Sequence, residues 1–178
     1  MVATVNGQPI TRAALNQRLA VNPNPQMALM GLEADMLLDQ YAASNKITIT
    51  DGAIAAREDA IKMMSPHLSW ATVVGKPHAT DADIRAFVRR QLIIDHGVAY
   101  GVHISPVQVK QYYLQHRASF QKAGRPETLA EATPEISSLL HLQAAAGLTP
   151  DFVGSLLQNA KIVVNDPKYA QVVATPTP

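Results

Sequence analysis

The sequence predicts a mostly helical domain whose two ends meet in a small β element. Hydrophobic residues make up 47% of the chain but only 5% are aromatic, and the apolar share leans on Ala, Leu, Val and Ile, a mixture suited to packed helices. Capping residues and prolines recur just ahead of segments whose apolar residues are spaced by three and four. A short β-rich run stands near each end, the first of them followed by Asn6-Gly7. A chain of 178 residues can bury most of its apolar surface without staples.

In order along the chain, Val2-Ala3-Thr4-Val5 reads as a strand, and Asn6-Gly7 supplies the positive φ values of a tight turn into Gln8-Pro9-Ile10. Thr11 caps a first helix carrying Ala14, Leu15, Arg18 and Leu19, which Asn22-Pro23-Asn24-Pro25 ends. A longer helix runs from Gln26 to about Asn45. Its apolar stripe is Met27, Met30, Ala34, Leu37, Leu38 and Tyr41, with Glu33, Asp35 and Asp39 off the stripe on a solvated face. Thr50 and Asp51 open a third helix through Ile54, Ile61 and Met64, stopped by Ser65-Pro66. Residues 67–77 give no periodic signal.

Thr80 and Asp81 cap a fourth helix whose broad apolar face, with Ile84, Phe87, Val88, Leu92, Ile93 and Val98, marks it as central. Ser105-Pro106 starts a fifth, with Val109, Tyr112, Tyr113 and His116 leading to Phe120, and a polar break follows. Thr133-Pro134-Glu135 and Thr149-Pro150-Asp151 each read as a cap followed by a first-turn proline, and Gly147 and Pro150 predict a break or kink there. Ile162-Val163-Val164 is a second strand, which would be an exposed edge unless another strand covered it. The good partner is residues 2–5. Residues 174–178 are too short of apolar groups and too rich in proline to fold.

Composition narrows the function. Fifteen Lys and Arg against fourteen Asp and Glu leave a net charge of +1, no field for nucleic acid. The absence of cysteine removes disulfides, thiolate metal sites and a cysteine nucleophile. No apolar window of about 18 residues could span a bilayer. His67, His78, His96, His103, His116 and His141 form no HExxH pair, and the glycines make neither GxGxxG nor a P-loop, so neither a metal nor a nucleotide cofactor is expected. Asp35 and Asp39 read as solvated carboxylates. Arg89 and Arg90 read as salt-bridge partners within the helices rather than a phosphate site.

Five segments, in order, resemble the core domain of the SurA-like and PrsA-like extracytoplasmic chaperones. They are Val5-Asn6-Gly7-Gln8-Pro9-Ile10-Thr11, Lys46-Ile47-Thr48-Ile49-Thr50-Asp51, Arg89-Arg90-Gln91-Leu92-Ile93-Ile94, Ile104-Ser105-Pro106 through Tyr112-Tyr113 to Phe120, and Ala160-Lys161-Ile162-Val163-Val164. The resemblance implies a helical cradle with exposed apolar surface, closed where the N-terminal hairpin meets the C-terminal strand. It implies one core domain over residues 1–173, with an N-terminal part at 1–120 and a C-terminal helix and strand at 128–166. Such proteins commonly insert parvulin isomerase domains between these parts, and here residues 121–127 are all that fills the place. An extracytoplasmic setting follows, with the export signal outside this sequence, since Met1-Val2-Ala3-Thr4 lacks the regions of one.

The expected function is therefore non-enzymatic: an ATP-independent holdase for unfolded polypeptide segments. The alternative is a structural or oligomerisation module whose apolar surface a partner chain covers permanently, a homodimer with swapped elements included. The candidate client-binding residues are Met27, Met30, Met36, Met63 and Met64, whose unbranched thioethers adapt to irregular ligands, with Tyr112 and Phe120 from the family-like segment. Ordinary core packing is the competing role for each.

Overall fold

In the computed structural model, which describes residues 1–122 and 124–172 without the side chains of residues 63, 64, 100, 122 and 170–172, Asn6 and Gly7 take φ values of 50° and 82°. These left-handed angles turn strand β1 (Ala3–Val5) directly into β2 (Gln8–Ile10). On its other side β1 pairs antiparallel with β5 (Ile162–Val164), opposing Ala3 to Val164, Thr4 to Val163 and Val5 to Ile162. The order β2-β1-β5 makes the N-terminal strand the middle of the sheet. With a side-chain period of two, Ala3 and Val5 fall on the covered face with Ile162 and Val164, and Val163 faces out. The expected closure of the chain by its ends is thus present.

The turn is fastened from two directions. Asn6 Oδ1 accepts from the Lys161 backbone N–H at 2.8 Å, and Asn6 Nδ2 donates to Gln40 Oε1 at 2.7 Å. Gln40 Nε2 in turn donates to the Val5 carbonyl at 3.1 Å. The Asn-Gly dipeptide therefore sets the hairpin and also joins the strand pair to a helix.

Helix starts follow the capping residues. Thr11 accepts from Ala14 N to open α1 (Arg12–Val21), Asn24 from Gln26 N and Met27 N to open α2 (Pro25–Ser44), and Thr50 from Ala53 N to open α3 (Asp51–Met64). A short helix, α4 (Trp70–Val74), occupies the stretch without periodic signal; Ser69 caps it and Gly75 at φ 69° ends it. Thr80 and Asp83 cap each other reciprocally ahead of α5 (Asp81–Val98), as Ser105 and Gln108 do ahead of α6 (Pro106–His116). Each such cap is worth about 1 kcal/mol.

The stretch expected to break or kink at Gly147 and Pro150 runs as one helix, α7 (Leu129–Gln158), with Pro134 and Pro150 inside it. Its start lies upstream of the expected Thr133, because Thr128 and Glu131 form the reciprocal cap: Thr128 N donates to Glu131 Oε2 at 2.9 Å. Thr133 and Thr149 do not cap. Their hydroxyls donate back to the carbonyls of Leu129 and Ala145, at 2.7 and 2.9 Å. A threonine hydroxyl that bonds the carbonyl four residues back is a contact made inside a helix, not at its start.

The chain groups into two compact units, residues 1–94 with the segment from residue 153 onward, and residues 95–152. The division falls within α5 and α7 rather than at residues 121–127. In the first unit one core cluster joins Val2, Val5, Ile10, Leu15, Leu29 and Tyr169. A second joins Ile54, Ile84 and Val88, with Trp70 and Phe87 packed on it. In the second unit the core is Val109, Tyr113, Phe120, Ala132 and Ile136. The polar break holds a small antiparallel ladder, β3 (Gln121–Lys122) with β4 (Arg125–Pro126). Phe152 packs so closely on Gly97 that a Cβ there would lie 2.2 Å from its ring.

Candidate binding surface

Helix α2 begins where two prolines end α1, and its first turns carry Met27 and Met30, three residues apart and so on one face. Met27 is 55% exposed and Met30 41%; Val21, at the end of α1, is exposed too. The expected apolar stripe is out of phase here. The side of these turns facing the core is Ala28 and Leu29, which join the cluster around Leu15 and the hairpin, and only Leu37 and Leu38 of the expected stripe are buried. Met36 is half-buried against that same cluster and belongs to the core side. The side chains of Met63 and Met64 lie outside the described residues.

In the second unit the two aromatic candidates are inward. Phe120 is only 7% exposed, and its ring stacks on that of Tyr113 with centroids 6.0 Å apart. Tyr112 is half-buried against this core and stacks on His116 at 4.3 Å. Neither is a free apolar face. Phe120 is corrected to a core residue, packed with Val109, Tyr113, Ala132 and Ile136, and Tyr113 donates its hydroxyl to the Glu127 carbonyl at 2.5 Å. The exposed apolar residues of α6 are Val107, at 64%, and Leu114, at 61%. Seven residues apart, they share one face. The sequence reading missed them because it followed the Val109 and Tyr113 stripe; the signal was a second pair of apolar positions at heptad spacing.

The expected ion pairs are present: Arg89 with Asp39, and Arg90 Nη1 with Asp35 Oδ2 at 3.1 Å. Glu33, expected on the solvated face, is instead 3% exposed, and its Oε1 has no hydrogen-bond partner among the described residues. Burial without a partner favours the neutral acid, and pushes this carboxyl up to about 6 from 4.5. The sign of the consequence is fixed. A group that holds its proton longer folded than unfolded contributes most below pH 4.5, and that stability is lost as pH rises through about 6. At 1.36 kcal/mol per unit the loss is at most about 2 kcal/mol. Glu33→Gln is expected to gain stability relative to the parent at pH 7.5 and to lose that advantage at pH 4.5, with urea midpoints at both pH values as the measurement. Equal differences at the two values would show that folding does not raise the pKa of Glu33.

Among the described residues no group of three or more His, Asp and Glu is placed to hold a metal ion, and no helix is long and apolar enough to cross a membrane. Comparisons with protein-family models, with curated proteins and with solved structures found no match.

Proposed function

We propose that the chain is an ATP-independent holdase, active outside the cytoplasm, which binds unfolded polypeptide segments weakly and reversibly through exposed apolar helix faces and catalyses nothing. The observation that carries the reading is the pair of methionines at the start of α2, both more than two-fifths exposed. Large apolar side chains left in water on a helix face favour association, and thioethers fit partners of many shapes. The face of Val107 and Leu114 on α6 supports the same reading independently. The order of family-like segments in the sequence supports the extracytoplasmic setting, and the short β3–β4 ladder stands where an isomerase domain would be inserted.

The test is suppression of aggregation of several unrelated chemically denatured clients, at near-stoichiometric ratios and without nucleotide. Slower aggregation of most of them is expected, with the cis to trans rate of a proline test peptide unchanged. Protection of none, with a constant dimeric mass over a wide concentration range, would instead make the exposed faces a permanent interface between copies.

A further inference from the structure

The first unit holds a cleft of roughly 230 Å³ between the end of α1, the end of α4 and the middle of α5, lined by Arg18, Arg90, Lys76, Asp83 and Gln17, with Val21, Val74 and Ala86 as its apolar part. Its charges do not cancel. Asp35 Oδ2 accepts from both guanidinium groups, from Arg18 Nη2 at 3.2 Å and Arg90 Nη1 at 3.1 Å, so two cations share one carboxylate. Asp83 cannot supply the missing negative charge: it pairs with Lys76 at 2.7 Å and also takes the backbone N–H and hydroxyl of Thr80. A net charge of +1 is left on two forked donors, each with five N–H groups, beside a wall of small aliphatic side chains.

A single carboxylate attached to a small apolar group matches that combination. The cleft is smaller than the ~300 to 1,000 Å³ of ordinary ligand pockets, as suits one terminal residue. A phosphate dianion would need more than one surplus cation, and the aliphatic walls would give it nothing. Val21, which lines the cleft, is also one of the exposed apolar residues near the start of α2.

We propose that this cleft captures the free C-terminal carboxylate of a client chain ending in a small aliphatic residue, with Arg18 and Arg90 holding the carboxylate and Val21, Val74 and Ala86 its side chain. The proposal rests on the polypeptide-binding reading above and adds to it a polar end that fixes orientation.

A labelled extended peptide ending in Val tests it by fluorescence anisotropy with the full chain, as the free acid and as the C-terminal amide. The acid is expected to bind about tenfold or more tightly, the scale of a charge-assisted hydrogen bond, with the preference shrinking as salt rises. Arg90→Gln should erase the preference and leave amide binding in place. Ala86→Glu, at an exposed helix position, should also erase the preference for the acid, by placing a negative charge in the wall, and should weaken the amide as well because Ala86 lines the side-chain space. Inorganic phosphate should compete no better than acetate. Equal binding of acid and amide, or displacement by phosphate ahead of acetate, overturns the cleft while the holdase stands. Binding of neither peptide, with no protection of denatured clients, overturns both.

Discussion

A chain ending at residue 160 is expected to lose the cooperative fold of its first unit, although the missing piece contains no candidate binding residue. The deletion removes β5 from the middle strand β1, and with it the backbone bonds Asn6 N to Lys161 O at 2.9 Å and Asn165 N to Val2 O at 2.8 Å. It also removes the Arg12 to Asp166 ion pair and Tyr169, which is buried in the cluster with Val2, Val5 and Leu15. The side chain of Tyr169 together with half-buried Ile162 and Val164 is worth ~3 to 6 kcal/mol at ~1.5 to 3 kcal/mol per fully buried large side chain. The strand left behind exposes Val2 and Val5, which cost a similar amount again. Together these approach the whole ~5 to 15 kcal/mol by which a domain is stable. The core of the second unit contains none of the removed residues, so residual helicity should come from there. Circular dichroism melts and mass in solution give the readout. A truncated chain that melts cooperatively at the parent temperature and keeps its size would refute closure by the ends.

The features legible in the sequence are those set by a few adjacent residues. Asn6-Gly7 has a turn geometry few other dipeptides adopt, and the caps at Thr11, Thr50 and Ser105 act within three residues, so the boundaries they set needed no knowledge of the rest of the chain. Ile162-Val163-Val164 was readable because an uncovered β-branched edge is costly and only one partner strand was at hand, even though pairing them closes a loop of about 160 residues.

What failed was set by a competing local cap in one place and by packing at a distance in the others. Thr133-Pro134 and Thr149-Pro150 look like helix starts locally, but the stronger reciprocal cap at Thr128 and Glu131 begins the helix earlier and the threonine hydroxyls turn to carbonyls within it. Glu33 looked solvated because carboxylates usually are; nothing in the neighbouring residues says that helices cover that side of α2. The same cause put the stripe of α2 out of phase. Ala28 is a small residue that periodicity undercounts, yet it is fully buried. Of the candidate surface, Met27 and Met30 were legible as apolar and adaptable, whereas Phe120 is buried by Ala132 and Ile136 of a helix that follows it, packing that no local pattern announces.

Replacing Met27 and Met30 together by Ser is expected to weaken protection of denatured clients about tenfold and to leave folding nearly untouched. Both side chains are about half exposed, so a client that covers them gains roughly 1 kcal/mol from each, about half of what full burial of such a side chain contributes. Losing about 1.4 kcal/mol or more is a tenfold change in affinity. Exposed substitutions away from caps and cores usually shift stability by no more than ~0.5 kcal/mol. Asn24 caps α2 through the backbone N–H groups of residues 26 and 27, so a change of side chain at Met27 leaves that bond in place. Met36 supplies the contrast. It packs on the cluster of Leu15 and Leu29, and Met36→Ala should cost ~1 to 3 kcal/mol, below the range for a fully buried methionine, with client affinity unchanged once the fraction folded is allowed for. Aggregation assays at matched folded concentration, beside urea midpoints for each variant, separate the two behaviours. A large fall in midpoint for the Met27 and Met30 pair with undiminished protection would make these methionines structural and remove the observation on which the binding surface stands.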